Sequence, residues 1–147
     1  MTEGETELTE IEQKFDVPAG FVLPSLTGPG VAGETPPDVL HLSATYFDTA
    51  GLRLITAKVT LRRRTVRRLV DQSGQPLAEI ADDEVTGSRP DPADPARWRP
   101  ADSWRELEVE LVSGTRSLLN ATAGQLRAAG AEPSKSASKL ARVLAAG

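Results

Sequence analysis

Cysteine is absent from this chain of 147 residues, and histidine occurs once, at His41. The first absence excludes disulfides, thiolate metal sites and cysteine nucleophiles. The second excludes a multi-histidine metal centre within one chain. Aromatic residues make up only 4%, so a core must come mainly from Leu, Val, Ile and Ala, within a hydrophobic fraction of 39%. No apolar run reaches the roughly 18 residues read as a membrane span, so no membrane partner is expected. The start, MTEGETELTEIEQ, is acidic and lacks the apolar stretch of a secretory signal, which makes a cytoplasmic location the expectation.

What is present is charge in blocks. The formal net charge is −4. By position it divides into −8 over residues 1–50, +7 over 51–70, −7 over 71–115 and +4 over 116–147. The acidic blocks argue against a general nucleic-acid binder, so no specific nucleic-acid partner is expected. The length fits one domain, taken as 1–147.

The hydrophobic pattern predicts an α+β chain with antiparallel strands. A strand is expected over 7–17, where Ile11, Phe15 and Val17 alternate with Glu10, Glu12, Lys14 and Asp16. A Pro- and Gly-rich connection follows to Asp38, then a strand over 40–47. A short turn or helix is expected at 51–57 and a third strand at 58–65. Segments 66–71 and 77–86 form a hairpin around Gln72-Ser73-Gly74-Gln75-Pro76. Four prolines between 87 and 103 predict a loop, and 104–112 (WRELEVELV) is the most regular strand. Ser117–Ala129 reads as a helix stopped by Gly130, and a last short helix is expected from Ser136. Gly28, Gly30 and Gly33 match a dinucleotide-binding spacing, but Pro24 before and Pro36-Pro37 after leave no strand–helix frame for it, so this is a loop.

The chemistry lies in strand-borne charge. Side chains at i, i+2 and i+4 share one strand face. Glu10-x-Glu12-x-Lys14 therefore aligns two carboxylates and an ammonium, and Glu106-x-Glu108-x-Glu110 aligns three carboxylates. Arg62-x-Arg64 aligns two guanidiniums. Each pattern alone is also that of a solvated strand edge. Together they suit a highly charged anion with a hard divalent cation, because arginine forks take phosphate oxygens and carboxylates take Mg²⁺ or Mn²⁺.

These motifs resemble the CYTH superfamily, the triphosphate tunnel metalloenzymes, whose signature is E-x-E-x-K. The likeness extends in order through FDVPAGFVLPSL (15–26), ATYFDT (44–49), TLRRR (60–64), LAEIADDEV (77–85), WRELEVEL (104–111) and SKLARVL (138–144). It is greatest to the actinobacterial type in which a CYTH domain precedes a CHAD domain. The resemblance implies an antiparallel β tunnel that binds a triphosphate, and a Mg²⁺- or Mn²⁺-dependent hydrolase of inorganic triphosphate or a related compound. It implies Glu10, Glu12, Glu106 and Glu108 as catalytic and metal-binding, and Asp83 as a further metal ligand. Lys14, Arg62, Arg64, Lys135 and Lys139 are implied as substrate-binding, while Asp48 and Thr49 fit a turn. The chain departs from the family between the 58–65 strand and the 66–86 hairpin, where a basic strand and its surroundings are missing. About six strands are expected instead of eight. A non-catalytic polyphosphate- or nucleotide-binding module is the alternative function, and adenylate cyclisation ranks last. A CHAD domain is the implied protein partner, and an open barrel edge points to a homodimer.

Overall fold

The alternation in β6 (Asp94–Leu111) sets the architecture, because Leu107 and Val109 face one side of the sheet while Glu106, Glu108 and Glu110 face the other. The computed structural model describes residues 11–48 and 56–134. In chain order they form β1 (Glu12–Val17), β2 (Gly33–Glu34), β3 (Asp38–Asp48), β4 (Thr56–Val70), β5 (Pro76–Asp91), β6, α1 (Arg116–Ala128) and β7 (Glu132–Pro133). All strand pairs are antiparallel, in the order β2-β4-β5-β6-β1-β7, with β3 beside β4. The sheet curls into a half-barrel, so α+β with an incomplete barrel describes the chain.

The apolar face carries the core. Phe15 and Val17 of β1, Leu69 of β4, Ala78 and Ile80 of β5, and Leu107 and Val109 of β6 are buried against Leu118, Leu119, Ala123 and Leu126 of α1. Those helical positions recur at three- and four-residue spacing and so make one stripe. Thr115 caps the helix: its hydroxyl accepts the Leu118 N–H at 3.3 Å. Gly130, at φ 115°, ends it in the left-handed region that favours glycine. Phe21 and Leu26, from the connection after β1, close one side of this core.

Several expectations change here. The 58–65 and 66–71 segments are one continuous strand, β4, because the run from Thr65 through Val70 contains no Gly, Pro, Asn or Asp to turn the chain and includes the strand-favouring Thr65, Val66 and Val70. Residues 56 and 57 belong to that strand, not to a turn or helix. The proline-rich 87–103 stretch is not a loop: β5 continues to Asp91, and β6 begins at Asp94 after a two-residue turn. Among the described residues, β5 has no β4 partner beyond Ser88, and the register shifts at Gly87/Ser88 and Pro90/Asp91. Prolines fit this irregular arm, where among the described residues missing N–H groups break no inner ladder. The short strand β7, which pairs with β1, went unforeseen because two residues leave no periodicity to read. The strand expected at 7–17 is described from residue 12 onward. The final helix near Ser136 and the segment 51–55 lie outside the described residues.

Candidate functional site on the inner face

The register assembles the second face. Even-numbered residues of β3 and β4 pair with odd-numbered residues of β5, then with even-numbered residues of β6 and β1. One row across the sheet reads Leu40, Arg64, Asp83, Glu106, Asp16. The next reads Asp38, Val66, Ala81, Glu108, Lys14, and a third reads Arg68, Glu79, Glu110, Glu12. Arg62 lies opposite Val85, which lies opposite Trp104.

No described helix covers this face, yet Asp83 and Val85 are each 1% exposed and Ala81 and Val66 are buried. In a curled sheet, such burial with no described helix above it marks this as the inner face of the half-barrel. The outer face carries α1.

The charged groups form a connected lattice. Arg64 donates from Nε to Asp83 Oδ1 at 3.0 Å and from Nη2 to Asp83 Oδ2 at 3.2 Å, a two-pronged fork. The same Nη2 reaches Glu108 Oε2 at 3.5 Å. Arg62 Nη1 lies 3.8 Å from Asp83 Oδ2. Arg68 donates to Glu79 at 3.1 Å, and the Trp104 indole donates to Glu106 at 3.2 Å. Burial by itself pulls the Arg64 guanidinium down, but its hydrogen bond to Asp83 and the charges of Asp83, Glu108 and Glu79 outweigh that and hold it raised. Arg64 is therefore a permanent cation here. Glu12 Oε2 is shielded from solvent at the end of its row.

Of the residues expected from sequence, Glu12, Lys14, Arg62, Arg64, Asp83, Glu106 and Glu108 all lie on this face. Glu10, Lys135 and Lys139 lie outside the described residues. Sequence reading missed Asp16, Asp38, Glu79, Asp102 and Arg68 as members of the set. Their signal was parity: once β4 is one strand, Arg68 shares the face of Arg62 and Arg64. Glu110 belongs to the glutamate run but had not been given a role.

The formal balance of the described inner face is decisive for its chemistry. Among the residues of this face whose side chains are described, four cations (Lys14, Arg62, Arg64, Arg68) stand against nine carboxylates (Glu12, Asp16, Asp38, Glu79, Asp83, Asp102, Glu106, Glu108, Glu110), so acid outweighs base about two to one. A bare polyanion would be repelled overall and attracted only along the β4 side. The donors are all oxygen, the type that suits Mg²⁺ or Mn²⁺. Among the described residues, however, no three His, Cys, Asp or Glu side chains are arranged to hold a metal ion. The described carboxylates match a hard cation in kind but do not close on one point.

The outer face has its own ion pair. Arg105 grips Asp82 with Nε at 2.9 Å and Nη2 at 2.7 Å, and donates from Nη1 to the carbonyls of Ala19 (3.1 Å) and Phe21 (2.6 Å). Its guanidinium carbon sits 5.6 Å from the Phe21 ring centre. This pins the connection after β1 to the sheet and is structural, so of two adjacent aspartates Asp82 serves the outer face and Asp83 the inner.

Comparison with known proteins gives two relatives, both from Mycobacterium tuberculosis. They are described as uncharacterized proteins, Rv2226 of strain ATCC 25618 / H37Rv and MT2285 of strain CDC 1551 / Oshkosh. Each is 32% identical over 206 positions, which cover 93% of this chain and 40% of the relative. The chain thus spans about two fifths of the length of the curated relatives it matches. With only 147 residues here, at least 59 of those 206 positions have no counterpart in this chain. No family model and no solved structure matches.

Proposed function

We propose that the inner face binds an oligophosphate together with divalent cations, with inorganic triphosphate as the ligand. The observation that carries this reading is the pairing of Arg62 and Arg64 on the β4 side of a curled sheet whose β6–β1 side is a lattice of carboxylates. Guanidinium forks match phosphate oxygens in geometry, and a face on which carboxylates outnumber cations favours a phosphate that arrives with Mg²⁺ or Mn²⁺ over a bare one. This agrees with what the resemblance to triphosphate tunnel metalloenzymes implies. Hydrolysis of the bound triphosphate is the activity we infer, with Glu12, Glu106 and Glu108, and Glu10 beside them in sequence, as the acidic set.

A second reading, a non-catalytic binding module, is favoured by two observations. The relatives carry at least 59 additional positions within the matched stretch, and the described carboxylates do not assemble a three-ligand site. Tripolyphosphate with Mg²⁺ or Mn²⁺ separates the two. Phosphate release that is lost in Glu12→Ala supports the hydrolase. Binding by calorimetry without release supports the module. Neither binding nor release removes both.

A further inference from the structure

We propose that Asp83 is a positioning residue that fixes the Arg62–Arg64 pair, rather than a cation ligand. For its ligand the inference rests on the oligophosphate reading above; for the geometry of the arginines it does not.

Asp83 is on β5, directly opposite Arg64 on β4 and Glu106 on β6, and is 1% exposed. Both of its carboxylate oxygens face guanidinium nitrogens: Oδ1 the Nε of Arg64, and Oδ2 the Nη2 of Arg64 and, at 3.8 Å, the Nη1 of Arg62. A Mg²⁺ ion needs oxygens at about 2.1 Å in near-octahedral array. To reach Asp83 it would have to displace a two-pronged guanidinium contact and then sit beside two positive charges. Those conditions oppose a cation at this carboxylate.

The contact has a clear consequence for Arg64. Of its five N–H groups, Nε and Nη2 are directed at Asp83 and Glu108, which sets the plane of the guanidinium. The Nη1 edge is the part left to meet a phosphate oxygen. Holding that plane removes rotamer freedom before the ligand arrives, which lowers the entropy lost on binding. Asp83→Asn keeps the shape but turns one acceptor into an NH₂ donor facing an N–H group. The fork is lost, and so is one negative charge.

A purely electrostatic role and a positioning role give opposite signs. If Asp83 acts only through its charge, Asp83→Asn tightens binding of a polyanion. If it positions the arginines, Asp83→Asn weakens it. The experiment has two arms. In the first, hydrogen exchange of arginine Nε–H groups is followed by ¹⁵N NMR on the ligand-free protein. The Arg64 signal is expected to exchange at least about tenfold more slowly than that of the exposed Arg63, and to lose that protection in Asp83→Asn. In the second, tripolyphosphate with Mg²⁺ is titrated into the parent, Asp83→Asn, Arg64→Lys and the double variant. Asp83→Asn is expected to weaken binding about fivefold or more, with the double variant no weaker than Arg64→Lys.

Fast Arg64 exchange in the parent overturns the proposal, whether or not any variant folds. So does tighter or unchanged ligand binding by Asp83→Asn, or a tenfold rise in the Mg²⁺ concentration needed with Arg64 protection intact. Absence of ligand binding by the parent overturns the oligophosphate reading instead, and the exchange arm then decides the role of Asp83 alone.

Discussion

Replacing Arg105 by alanine removes a group that ties three parts of the described fold together. The side chain makes two hydrogen bonds to Asp82, two to backbone carbonyls of Ala19 and Phe21, and a cation–π contact with Phe21. The Arg105 and Asp82 side chains are only 15% and 13% exposed, so water does not substitute freely. Truncating one partner of a buried ion pair costs about 3–5 kcal/mol, and charged hydrogen bonds are worth about 1.5–3 kcal/mol each without being additive. Since some water contact remains, we take the low end, about 3 kcal/mol. At about 2–4 °C per kcal/mol for a chain of this size, that is a fall in Tm of about 6–12 °C. Arg105→Lys keeps the charge but not the four-way geometry, and is expected to recover less than half. Urea denaturation of the parent, Arg105→Ala, Asp82→Asn and the double variant gives the coupling directly, expected at about 1.5 kcal/mol or more. A loss below about 1 kcal/mol for Arg105→Ala, or strict additivity with Asp82→Asn, refutes the claim that this pair ties the post-β1 connection to the sheet.

Further outcomes follow from the packing. Leu126→Ala, at a site 0% exposed between α1 and the sheet, is expected to cost about 2–5 kcal/mol by chemical denaturation with the fold retained. Gly114→Ala should destabilise by about 1–3 kcal/mol, because its new methyl would meet the Leu77 carbonyl oxygen and Leu118 Cδ2 at 2.8 Å each, and the first of these is backbone. Asp71 closes the β4–β5 turn: its Oδ1 accepts from the Ser73 hydroxyl and from the N–H groups of Ser73 and Gln75, led by the Ser73 hydroxyl, and its carboxyl is held below the usual range. Its folded-state value is lowered, so its contribution is present above about pH 4 and is lost as pH falls through that lowered value. Asp71→Asn should therefore flatten the acid limb of the stability–pH curve, and an unchanged limb would contradict this.

Period-two alternation made β1 and the 104–111 part of β6, with the faces of their charges, legible, and the helix with its Gly130 stop was equally plain. Two kinds of information were not. Proline content at Pro90, Pro92, Pro95 and Pro100 argued for a loop, because local propensity cannot show that, among the described residues, the arm beyond Ser88 has no β4 neighbour whose ladder a proline would break. Register was also hidden. Sequence puts Arg64 on a face of its own strand, but only pairing shows that Asp83, not a glutamate, lies directly opposite it. Hence an aspartate expected beside metal is found in a guanidinium fork, while its neighbour Asp82 belongs to the outer face and to Arg105. Splitting β4 at Thr65 concealed Arg68 for the same reason.

The central claim is that the inner face of the half-barrel takes a cation-bound oligophosphate through the β4 arginines. Calorimetric titration of tripolyphosphate into the parent and into Arg62→Ala, with and without Mg²⁺, tests it most directly. The account predicts saturable binding that requires Mg²⁺ and weakens about tenfold or more in Arg62→Ala. No binding in millimolar Mg²⁺, or binding that Arg62→Ala leaves unchanged, would contradict it.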